Sequence, residues 1–117
     1  MTQAETKKTS QEMLQEHVDY IAKQIQTGEY DFEPSEEGEE PSAYDYLKDA
    51  LDIEYIVNGK GQYIAARILV AFGGPNIWIN TRTKQVEGAW WSTQATANYW
   101  EDALGLDDAC EELWNCR

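Results

Sequence analysis

Carboxylates dominate the side chains that could do chemistry in this sequence. There are 22 Asp and Glu against nine Lys and Arg, a formal net charge of −13 over 117 residues. Catalytic carboxylates work as pairs whose surroundings drive two pKa values apart, which needs partial burial. Here they lie mostly in polar runs, where a solvated surface is the simpler reading. His17 is the sole histidine. It sits three residues after Leu14 and four before Ile21, at the border of an apolar helix face. A Ser-His or Cys-His nucleophile would depend on it entirely. No local motif supplies a partner, and Cys110 could reach it only through the fold. Cys110 and Cys116 are separated by about 240° around a helix, so they share no face and reduced thiols are expected.

Metal and phosphate motifs are equally sparse. Zinc needs grouped His and Cys at recognisable spacing, and none is present. The acidic stretch from Glu29 to Ser42 lacks the alternating Asp/Asn ligands around a central Gly that a calcium hand requires. Gly73-Gly74 lacks the spacing and the Lys of a P-loop, and the following Pro75-Asn76 makes a tight turn the better reading. The expectation is therefore a protein without cofactor or metal that is not an enzyme.

The placement of the acid is more informative than its amount. Eleven carboxylates fall between Glu29 and Glu54 and six between Glu101 and Glu112, out of 22. One block lies on a loop and the other on a helix, and together they could form an extended negative surface. Such a surface imitates the phosphate rows of a nucleic acid and would engage Lys and Arg of a nucleic-acid-binding protein. It would repel nucleic acid itself and anionic membranes. The plainer alternative is that the charge serves solubility alone. Trp90 and Trp91 are adjacent on an expected strand and so point to opposite faces. One of them could be an exposed anchor for a partner, or could fill a second small core beneath the C-terminal helices. The expected partner-binding set is Glu33, Glu36, Glu37, Glu39 and Glu40 in the loop, Asp107, Asp108, Glu111 and Glu112 on the last helix, and Trp91.

These groups need a scaffold, and the pattern supplies one α+β domain over 9–117 after a polar tail at 1–8. Thr9 with Glu12 is a capping-box pattern, Leu14, Val18, Ile21 and Ile25 stack on one helix face, and Gly28 is a natural stop. An acidic loop at 29–42 follows. Ser42 with Asp45 starts a short second helix with Ala43, Leu47, Ala50 and Leu51 on its buried side. Four strands are expected, at 53–57, 62–72, 77–80 and 85–91. They are joined by turns at Asn58–Gly61, Gly73–Asn76 and Thr81–Lys84, which imply an antiparallel meander. In the long strand, Ile64, Ala66, Ile68, Val70 and Phe72 should line one face, with Tyr63, Arg67 and Leu69 on the other. Residues 92–98 read as loop, and 99–104 and 107–114 as two short helices, or one helix broken at Gly105, covering one sheet face. No segment has the length of a membrane span or the apolar core of a signal peptide. A cytoplasmic setting is expected, and the open sheet edges permit a homodimer.

The segment Gly73-Gly74-Pro75-Asn76-Ile77-Trp78-Ile79, the Trp90-Trp91 strand and the acidic C-terminal helix resemble small acidic proteins of phages and mobile elements of Gram-positive bacteria. Some of these are type II-A anti-CRISPR proteins, which inhibit the RNA-guided effector nuclease. The resemblance spans residues 44–117, leaves out the acidic loop and carries over no site motif. It implies a CRISPR effector nuclease as the partner, in a bacterial host cell. That nuclease holds guide RNA and target DNA in a positively charged channel that an acidic domain could occupy. An anti-restriction DNA mimic against another nuclease and a phage accessory interaction module remain alternatives.

Overall fold

A computed structural model describes residues 9–29 and 42–117. The N-terminal tail and the loop glutamates Glu33, Glu36, Glu37, Glu39 and Glu40 lie outside the described residues.

Helix α1 (Ser10–Thr27) forms as its sequence dictates. The Thr9 hydroxyl accepts from the Glu12 amide at 3.1 Å, and Glu12 Oε1 accepts from the Thr9 amide at 3.0 Å. Two amides at the helix start, which have no partner within the helix, are thereby satisfied. Gly28 closes the helix in the left-handed region at φ 75°. Leu14, Val18, Ile21, Ala22 and Ile25 form the buried stripe. Helix α2 (Ala43–Lys48) begins where Asp45 Oδ2 accepts from the Ser42 amide at 2.8 Å.

Strands β1 (Asp52–Val57), β2 (Tyr63–Ala71), β3 (Asn76–Asn80), β4 (Gln85–Trp90) and β5 (Thr93–Asn98) form an antiparallel meander in chain order, and α3 (Leu106–Asn115) ends the fold. The α+β class holds, but the sheet has five strands rather than four. Residues 92–98 read as loop because Thr93–Asn98 carries no large apolar residue. The reason lies in the packing. Helix α1 lies so close to β4 and β5 that a Cβ on Gly88 would come within 2.9 Å of Leu14 Cδ1 and Val18 Cγ1. Gly88 pairs with Ala95, and Val86 with Ala97. Small residues are what this close approach allows, and they remove the alternation by which a strand is recognised. The expected helix over 99–104 is absent as well. Its backbone is taken up by α1: the Ala103 amide donates to the Ile25 carbonyl, and those of Trp100 and Glu101 donate to Gln26 Oε1.

The helices and one sheet face enclose a single core, with Leu14, Val18, Ile25, Ile68, Ile77, Ile79, Val86, Leu106 and Cys110 at its centre. The expected alternation along β2 breaks at both ends. A register shift opposite Ile56/Val57 pairs Val57 with Tyr63, and a second lies between Leu69 and Ala71. A bulge reverses which face the following residues occupy. Ile64 and Phe72 are therefore 41% and 72% exposed, while Tyr63 and Ala71 pack against the core. On the opposite face, Arg67 lies over the Trp78 ring at 4.4 Å and bridges Glu54 and Glu87 at 3.0 and 3.7 Å. No helix among the described residues is long and apolar enough to cross a membrane.

Candidate functional site

Helix α3 carries four of the expected contact residues, and its geometry separates them. The helix starts after Gly105 in the left-handed region at φ 79°, a conformation open to a residue without Cβ. Its first amides are capped from upstream. Asp102 Oδ1 accepts from Gly105 N at 2.9 Å and Leu106 N at 3.0 Å, and Oδ2 accepts from Asp107 N at 2.9 Å. A negative carboxylate at a helix N-terminus also meets the favourable end of the helix dipole.

Asp107 turns inward. Its Oδ1 accepts from the Tyr63 hydroxyl at 2.7 Å and the Thr81 hydroxyl at 2.8 Å. The Thr81 Oγ1 in turn accepts from the Ala66 amide at 2.9 Å, and Thr81 is buried. One carboxylate thus ties α3 to the start of β2 and the end of β3. Asp107 is a structural acceptor here, not part of an exposed acidic row, and the β2 bulge that aims Tyr63 at it left no mark in the residue pattern. Burial pushes the Tyr63 phenol well above its ordinary pKa, and the Asp107 bond pushes it further. Burial likewise pushes the Cys110 thiol up to about 12, with Asp107 and Asp102 adding to it. A thiol kept protonated in this way is no nucleophile, and His17 stands exposed on α1. The thiol-imidazole pairing weighed from the sequence does not form.

Asp108, Glu111 and Glu112 are exposed. Their spacing of three and four residues sets them on one stripe of α3. Tyr44 of α2 hydrogen-bonds Glu112. None of the three pairs with Lys or Arg among the described residues, whose ion pairs are Lys48–Asp45, Arg67–Glu54 and Arg67–Glu87. The row is therefore exposed negative charge without an ion-pair partner among the described residues. Beside it, Thr81, Lys84, Tyr99, Asp102, Asp107 and Asp108 border a shallow cleft of 210 Å³. The cleft's inner carboxylates are spent on the hydrogen bonds above. Among the described residues, no group of three or more His, Cys, Asp and Glu is arranged to hold a metal ion.

Trp91 corrects a different expectation. It does not lie on a strand but in the turn between Trp90 and Thr93, with φ 58° and 88% exposure. Trp90 packs against the core. Trp114 bonds the Gly61 carbonyl through Nε1 at 3.0 Å and lies 5.3 Å from the Tyr55 ring, with Arg117 stacked over it. Phe72 and Leu51, exposed at 72% and 60%, stand at the same sheet end as Trp91; Leu51 was expected on the buried side of α2, but that helix ends at Lys48 and leaves Leu51 outside it. Asn80 pairs with Gln85 and Trp90 with Thr93, so Asp107, bonded to Thr81, and Trp91 occupy opposite ends of the sheet. A six-residue strand separates them, roughly 20 Å. The acidic row and the tryptophan do not form one site.

Comparison with protein-family models, with curated proteins and with solved structures returned no match. The anti-CRISPR resemblance accordingly rests on its residues alone.

Proposed function

We propose that this protein is a non-catalytic inhibitor. It binds a basic nucleic-acid-binding protein, a type II-A RNA-guided effector nuclease, in the bacterial cytoplasm and keeps guide RNA or target DNA out of its cationic channel. The observation that carries this reading is the row Asp108, Glu111 and Glu112: exposed, unpaired with any cation among the described residues, and held on a helix whose start is fixed by Asp102 and Asp107. Rigid carboxylates at helical spacing offer Lys and Arg the charge that phosphates otherwise supply. The net charge of −13 draws the molecule toward such a channel at low salt.

The test is direct. The protein is incubated with the effector nuclease before and after guide loading, and complex formation and DNA cleavage are measured. Inhibition is expected in at least one order of addition, weakened by rising salt and by the triple change Asp108→Asn, Glu111→Gln, Glu112→Gln. Unchanged inhibition by that variant removes the α3 row from the reading. A second reading is favoured by Trp91, exposed and at the sheet end opposite the α3 start: an interaction module that docks through an aromatic anchor. A partner retained in high salt and lost on Trp91→Ala would support it. An anti-restriction mimic against another nuclease would show the α3 dependence with a different target.

A further inference from the structure

The two edges of the sheet are protected unequally. Along β5, the Gln11 and Gln15 side-chain amides of α1 donate to the Gln94 and Thr96 carbonyls at 3.0 and 2.9 Å. Those carbonyls are acceptors that an incoming strand would need. At the other edge, β1 pairs with β2 and with no other strand among the described residues. The Ile53 amide donates to Asp52 Oδ1 at 2.9 Å. No side chain among the described residues bonds the backbone of Glu54, Tyr55, Ile56 or Val57.

The two faces of β1 define what could pair there. Toward the helices lie Ile53, Tyr55 and Val57, each half-buried, with Tyr55 against Trp114. Toward the open face lie the exposed carboxylates of Asp52 and Glu54. Arg67 is shared between Glu54 and Glu87, so one guanidinium faces two carboxylates and the patch stays negative. Side chains of an added strand would fall alternately beside these two sets. A second copy of this chain would set its own Asp52 and Glu54 against the same patch, with −13 on each body, and like charges across a strand pair are destabilising.

We propose that the β1 edge takes up an extended segment of a basic partner, in which apolar residues alternate with Lys or Arg, as a sixth strand. This rests on the reading of a basic partner given above but uses a surface distinct from the α3 row. Backbone pairing would supply the affinity, and the alternation would supply the register.

The experiment leaves the protein unaltered. A synthetic peptide of alternating Lys and Val, about eight residues long to match a strand, is compared with a block peptide of the same composition and with an alternating peptide N-methylated at every second residue. Binding is read by anisotropy of the labelled peptides, and edge occupancy by amide exchange of the intact chain. The alternating peptide is expected to slow exchange at Tyr55 and Val57 about tenfold or more, and to bind about tenfold tighter than either control. Equal binding of the block peptide without protection of β1 overturns the edge while leaving the basic-partner reading intact. Absence of binding by all three peptides also overturns it, and the α3 reading is then decided by its own triple variant. Amides of β1 already as protected as those of β5 in the free protein, or protected by raising protein concentration alone, overturn it too. The edge would then be covered by the chain itself or by a second copy.

Discussion

At one end of the sheet, the Asp102 carboxylate caps three amides of the α3 start, and Asp107 gathers hydroxyls from β2 and from the turn after β3. At the other end, Trp91, Phe72 and Leu51 stand in solvent. The two ends belong to the same strands and differ by little more than a strand's length in position. The difference teaches that charge in this molecule has two separate uses. Carboxylates that turn inward hold the fold together. Those one helical step away, Asp108, Glu111 and Glu112, are exposed and make no ion pair among the described residues, and only Glu112 bonds a neighbouring element, through Tyr44 of α2.

Substitutions should therefore act oppositely at the two ends. The largest effect is expected for Asp107→Ala. It strands the Tyr63 hydroxyl and the Thr81 hydroxyl at once, and hydrogen bonds to a charged acceptor are worth more than neutral ones. A loss of about 3 kcal/mol is expected in denaturant unfolding, read as a lower midpoint at unchanged slope. A midpoint like that of the unaltered protein would mean that this end is not tied at all. Asp102→Ala follows at about 2 kcal/mol, the upper range for loss of a helix cap, because three amides lose their acceptor. The triple variant of the exposed α3 row should change stability by less than about 0.5 kcal/mol. That would separate the two uses of acid in one set of measurements.

The tied end also has a pH signature. The Cys110 thiol is held up to about 12 by burial, against an ordinary value of 9.0, and burial raises Tyr63 and Tyr99 above 10.0 in the same direction. A raised folded-state pKa gives stability that is fully present below the unfolded value. It is lost as pH rises through the window between the two. For the thiol alone the decline falls between roughly pH 9 and 12. Unfolding measured across that window should show the decline, and Cys110→Ala should flatten it below pH 10, before the tyrosines contribute.

What was legible in the sequence followed local rules. The α1 cap pair Thr9–Glu12, its four-residue apolar stripe, the Gly28 stop and the turn at Asn58–Gly61 each depend on neighbours within a few positions. What was not legible depends on contacts between distant segments. β5 lacks a strand pattern because α1 presses on it. Tyr63 changes face through a bulge opposite Ile56/Val57. Asp107 looks like its neighbour Asp108 in the sequence and differs only because Tyr63 and Thr81 meet it. The adjacency of Trp90 and Trp91 left an exposed anchor and a second small core both open, and the exposure that the structure shows has another reason. The alternation argument required a strand, whereas Trp91 occupies the turn itself.

That position makes a small effect of opposite sign the most diagnostic. In a two-residue hairpin loop, the first central residue with positive φ and the second without is a site usually held by glycine. Trp91 occupies it, while Ser92 has no positive φ. A side chain with a Cβ pays about 1–2 kcal/mol there, and the exposed ring recovers little of it by packing. Trp91→Gly should consequently stabilise the fold, by about 0.5–1 kcal/mol once the added freedom of glycine in the unfolded chain is subtracted. A substitution that deletes an exposed indole and raises the unfolding midpoint would show that the fold carries this tryptophan at a loss, which sharpens the contrast with Asp107. Destabilisation beyond about 1 kcal/mol would instead show the ring to be a packed part of this end, and the contrast between the two ends would fail.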